Sequence, residues 1–84
     1  MENDRLLSFI KKCNKNWHKP DLHSFMIYFE GGFAFVDCEG FRTSVRVYRN
    51  TIDDTVFEKD FYGTAEEAAE LLHDLGADMS TIDM

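Results

Sequence analysis

The chain predicts an α+β fold in the order α-β-β-β-β-α, and three observations carry that reading. Apolar residues recur at helical spacing near both ends. Four runs rich in aromatic and β-branched residues fill the middle, and short turn signals separate them. Because the connections are short, a four-stranded antiparallel meander covered on one face by both helices is the economical arrangement.

The first helix is expected over residues 4–16. Leu6, Ile10, Cys13 and Trp17 recur at i, i+4, i+7 and i+11 with Phe9 beside them, while Lys11, Lys12 and Lys15 face outward. Asn3 or Asp4 is placed to cap it, and Asn14, Asn16 and Pro20 mark its end. Strands follow at 24–30, 33–38, 41–49 and 55–61. Gly31-Gly32 predicts a two-residue hairpin turn, Glu39-Gly40 a similar one, and residues 50–54 the third loop. A second helix is expected over 65–75. Thr64 and Glu67 have capping-box spacing, Ala65, Ala68, Leu72 and Leu75 form its apolar stripe, and Gly76 stops it. Residues 77–84 show no period and read as a frayed tail.

A two-residue loop fixes register, so the faces can be assigned. Counting from the turns pairs Ile27 with Val36 and Val36 with Thr43. One face then collects Phe25, Ile27, Phe29, Ala34, Val36, Cys38, Phe41, Val45 and Val47, with Phe57 and Phe61. That face is the expected core. The other collects Met26, Tyr28, Phe33, Phe35, Asp37, Arg42, Ser44, Arg46 and Tyr48, with Glu58 and Asp60 from the last strand. There Asp37 is expected opposite Arg42 and Arg46 near Glu58. The remaining aromatics form a patch unusual for a plain monomer surface.

At 84 residues the chain is one small domain, and its 44% apolar and 14% aromatic content is enough for a core, which excludes global disorder. No apolar run is long enough for a transmembrane helix, and no secretory signal is read at the start. Two cysteines are too few for a disulfide framework, so a reduced cytoplasmic protein is expected. Net charge is −7 and unevenly spread. Residues 1–20 carry five basic residues against two acids, and residues 53–84 carry ten acids against Lys59 alone. That acidic end opposes general nucleic-acid binding and suits a basic partner.

Chemistry-bearing motifs are absent from the reading. The glycine turns lead into strands rather than helices, and Glu30 and Glu39 would repel phosphate, so they are turns and not a phosphate cradle. Cys13, His18, His23 and Cys38 are metal-ligand types, yet no close pair pre-positions two of them, and both cysteines fall on apolar stripes. Cys13 with His18 is the one nearby nucleophile–base pair, but Cys13 points inward. His73 beside Asp74 reads as surface. No enzyme activity, cofactor or metal is expected.

Two binding readings remain. Met26, Tyr28, Phe33, Phe35, Arg42 and Arg46 resemble the stacking platform of RNA-recognition domains. The element order also resembles the double-stranded-RNA-binding domain, although that family's basic helix start is replaced here by Thr64-Ala65-Glu66-Glu67. The favoured reading is protein binding. The acidic set Asp53, Asp54, Glu58, Asp60, Glu66, Glu67, Glu70 and Asp74 would meet a basic groove, and the aromatic face would suit a homodimer. In size, charge and one-domain α+β build, the whole chain resembles the small acidic accessory proteins of phages and mobile elements, including anti-CRISPR inhibitors and other DNA mimics. The resemblance rests on no motif and carries over no residue. It implies steric inhibition of a nucleic-acid-binding effector without catalysis.

Overall fold

The computed structural model describes residues 2–15, 24–62 and 65–83. Its elements are α1 (Glu2–Lys15), β1 (Ser24–Phe29), β2 (Gly32–Glu39), β3 (Arg42–Tyr48), β4 (Thr55–Tyr62), α2 (Glu66–Asp74) and β5 (Asp78–Asp83). The α+β class and the antiparallel β1–β4 meander agree with the sequence reading. The sheet has five strands rather than four, in the order β4-β3-β2-β1-β5. The expected tail is the fifth, paired antiparallel to β1.

The route into β5 explains how the chain reaches that edge. At the end of α2 the Gly76 N–H donates to the His73 carbonyl and the Ala77 N–H to the Leu72 carbonyl, at 2.9 and 3.0 Å. This paired capping pattern, with Gly76 at φ +83°, turns the chain sharply back toward the sheet. β5 then fastens to β1 through Thr81. Its Oγ1 accepts the Tyr28 N–H at 2.9 Å and donates to the Asp78 carbonyl at 2.6 Å. Met79 and Ile82 pack on the core from positions three apart, because the ladder is irregular between Met26 and Tyr28.

Helix boundaries shift slightly. α1 starts at Glu2, so Asn3 and Asp4 lie inside it rather than capping it. Trp17, His18 and His23, and with them the connector, lie outside the described residues. Ala65 occupies the N-cap position of α2 without a side-chain cap, and Thr64 of the expected capping box is likewise outside the described residues.

Both hairpins slip by two residues from the expected register. Ile27 faces Ala34 and Phe25 faces Val36, with Glu30-Gly31 as the turn. Val36 faces Val45 and Cys38 faces Thr43, with Gly40-Phe41 as the turn. A slip of two preserves the faces, so the inward set stays buried or half-buried with two exceptions, Phe57, which is 36% exposed on β4, and Phe41. Phe41 leaves the core for the turn and is 73% exposed. The slip also breaks the expected Asp37–Arg42 pair. Asp37 faces Ser44, while Arg42 bonds Glu39 at 2.7 Å and lies 3.9 Å from Asp60. Gly32 sits inside β2 for a different reason than turning. A β-carbon there would fall against the backbone carbonyl of Tyr48 and within 2.8 Å of that of Arg49. Gly32→Ala is therefore expected to cost about 1–3 kcal/mol, read as a lower urea midpoint.

Leu6, Ile10 and Cys13 of α1 and Ala68, Ala69 and Leu72 of α2 join Phe25, Ile27, Ala34, Val36, Cys38, Val45, Val47 and Phe61 in one core. Those strand residues share a face, so both helices cover the same side of the sheet, as the sequence reading expected. Phe9 meets Phe25 edge-on with ring centroids 4.9 Å apart, tying α1 to β1. Thr43, which the register also turns inward, is a buried polar residue of this side. The Asn14 side-chain amide donates to its hydroxyl at 3.0 Å, so its burial leaves no unmet hydrogen bond.

Candidate protein-docking surfaces

Two surfaces stand out, one on each face of the sheet. The first is a groove between β4 and α2, lined by Phe57, Lys59, Phe61, Glu67, Glu70, Leu71 and Asp74. Its geometry follows from two periods meeting. Phe57, Lys59 and Phe61 alternate along β4 and face Val47, Val45 and Thr43 across the ladder, so they lie on the helix side. Glu67, Glu70, Leu71 and Asp74 fall at i, i+3, i+4 and i+7 on α2, one stripe beside the buried Ala68 and Leu72. The floor is apolar, from Phe57, Phe61 and Leu71, and the rim is acidic. The Lys59 ammonium lies over the Phe61 ring, 5.2 Å from its centroid.

The eight acids singled out from sequence are divided by the fold. Glu58 is 2.8 Å from Arg46, Asp60 is 3.9 Å from Arg42, and Glu66 is 3.3 Å from Lys11. Asp53 and Asp54 lie in the exposed β3–β4 loop. Among the described residues, Glu67, Glu70 and Asp74 form no ion pair, and these three share the groove. Uncompensated carboxylates beside exposed aromatic surface suit a cationic, partly apolar ligand.

No protein family, curated protein or solved structure matches this chain.

The second surface is the sheet face away from the helices. Tyr28, Phe33 and Tyr48 form a line of rings across β1, β2 and β3, with centroids 5.8 and 4.9 Å apart and the second pair stacked. Tyr28 and Phe35 remain 39% and 37% exposed, while Tyr48 is buried. Arg46 anchors the line's end, donating to the Tyr48 hydroxyl at 3.4 Å and to Glu58 at 2.8 Å. Those two contacts hold its guanidinium charged and raise its pKa. The arginines expected here are thus present but matched by carboxylates. Arg42 has its Nε buried without a partner, its charge being met through the terminal nitrogens.

The groove is not legible in the sequence because Phe57 reads there as core; Phe61 is core, as expected, and also borders the groove. The signal that could have found it is Lys59 between them. A lysine at an inward register position needs an opening there.

Proposed function

We propose that the protein is a non-enzymatic binding module that holds a basic protein partner in the α2–β4 groove. The observation that supports this reading is the groove's composition, three carboxylates that form no ion pair among the described residues, set around Phe57, Phe61 and Leu71. A partner would place Lys or Arg against Glu67, Glu70 and Asp74 and an apolar side chain on the floor, the pairing of charge and aromatic anchor found at interface centres. Inhibition of a nucleic-acid-binding effector, by occupying its basic surface, is the role that the likeness to anti-CRISPR and other DNA-mimic proteins adds.

The test compares two baits in a host-lysate pull-down, the natural chain and the triple variant Glu67→Lys, Glu70→Lys, Asp74→Lys. Basic proteins should elute from the first with rising salt and be held about tenfold or more weakly by the second, the size of a 1.4 kcal/mol loss. All three positions are exposed, so circular dichroism should show an unchanged fold. Equal retention by both baits rejects the groove.

Nucleic-acid binding through Tyr28, Phe33, Phe35, Arg42 and Arg46 is the second reading, favoured by the exposure of Tyr28 and Phe35. Pairing of Arg42 and Arg46 with Glu39, Asp60 and Glu58 weighs against it, since phosphate neutralisation drives such binding. Salt-sensitive single-stranded RNA binding lost in Phe35→Ala would reverse that order. The same aromatic face would serve a homodimer, which light scattering at high concentration would reveal.

A further inference from the structure

The two cysteines, distant in sequence, meet in the core. Cys13 lies in the last turns of α1 and Cys38 near the end of β2, both free, both buried and both in the same cluster. Their neighbours fix the meeting independently. Asn14 is hydrogen-bonded to Thr43 at 3.0 Å, and Thr43 is the cross-strand partner of Cys38. The last turn of α1, which carries Cys13, therefore lies against the rung of the sheet formed by Cys38 and Thr43, and both cysteines are buried in that cluster. Interaction with the Cys38 thiol lowers the Cys13 pKa against the effect of burial, with Lys12 assisting, and interaction with Cys13 together with burial raises that of Cys38. Among the described residues no third His, Cys, Asp or Glu joins them to make a metal site.

We propose that Cys13 and Cys38 are a disulfide-forming pair, whose oxidation ties α1 covalently to β2. With a small-molecule disulfide such as oxidised glutathione as oxidant, the Cys13 thiolate attacks one sulfur and displaces one glutathione thiolate. Cys38 then loses its proton to solvent and attacks the Cys13 sulfur, and the second glutathione thiolate leaves. Two protein thiols are oxidised and one disulfide is reduced to two thiols. Cys13 is the entry point because it lies on α1, the element whose opening exposes the pair, with the Lys12 charge beside it favouring the thiolate. Burial means that the oxidant reaches it only when α1 opens locally, so the reaction is slow under native conditions.

Native protein is incubated with oxidised glutathione, then unfolded in acid and analysed by intact mass and thiol titration. The expected product is lighter by two hydrogen atoms, has no titratable thiol, and melts about 10 °C or more above the reduced form. Cys38→Ala should instead stop at a glutathione adduct on Cys13. The decisive comparison is between oxidised and reduced forms of the natural chain, so it does not depend on how well the variant folds. Two free thiols after prolonged incubation, or glutathione on both cysteines with no intramolecular bond, overturns the proposal.

Discussion

Phe25→Ala should lower stability by about 3–5 kcal/mol, whereas Phe41→Ala should change it by less than about 0.5 kcal/mol. The two phenylalanines read alike in the sequence, both on the inward set of strand positions. In the fold Phe25 is 1% exposed and lies edge-on against Phe9, so its removal leaves a cavity between α1 and the sheet. Phe41 projects from the β2–β3 turn, where its neighbour is the exposed Tyr62 at 6.2 Å between ring centroids. A small domain holds only about 5–15 kcal/mol in total, so the first variant should be close to unfolding at room temperature. Urea denaturation followed by fluorescence and circular dichroism reads both. Comparable losses in the two variants would mean that the β2–β3 register is wrong.

Ending the chain at Ala77 should have the next largest effect, on association as well as stability. Removal of β5 takes away Met79 and Ile82 from the core and leaves the Tyr28 N–H without Thr81. The loss of partly buried apolar surface amounts to about 2–4 kcal/mol. It also bares β1, whose sequence Ser-Phe-Met-Ile-Tyr-Phe has no charge to discourage pairing with another sheet. Concentration-dependent light scattering in the shortened chain, absent from the full one, is the expected result. A shortened chain that stays monomeric with the same urea midpoint would show that β5 adds little.

The legible parts of the fold are those where local period and burial agree. Alternation along β2 and β3 sorted the core from the open face, and the stripe through Ala68 and Leu72 placed α2. Register was harder. The glycine pair suggested the turn Gly31-Gly32, but Gly32 is needed within the strand, where only a bare α-carbon fits beside the carbonyls of Tyr48 and Arg49. β5 was invisible because its two packing residues, Met79 and Ile82, are three apart instead of two, which breaks the alternation that marks a strand. Of the acidic set, strand alternation already put Glu58 and Asp60 on the open face with Arg46 near Glu58, as the structure has it. What the chain order could not show is that Glu67, Glu70 and Asp74 line a groove with β4, since that depends on how α2 packs.

Most of the sheet is zipped from adjacent segments, with β1, β2, β3 and β4 joined as successive hairpins. The β1–β5 pairing is different, bringing Tyr28 beside Asp78 across most of the chain. Hairpins form quickly because little loop entropy is lost, whereas such a distant closure is slow. The meander should therefore assemble first, with β5 arriving only after α2 has docked and its glycine stop has aimed the chain. On that ordering, the slow step of folding is the closing of one side of the sheet. Substitutions in β5 would then act on the lifetime of the native state rather than on the rate at which the meander forms.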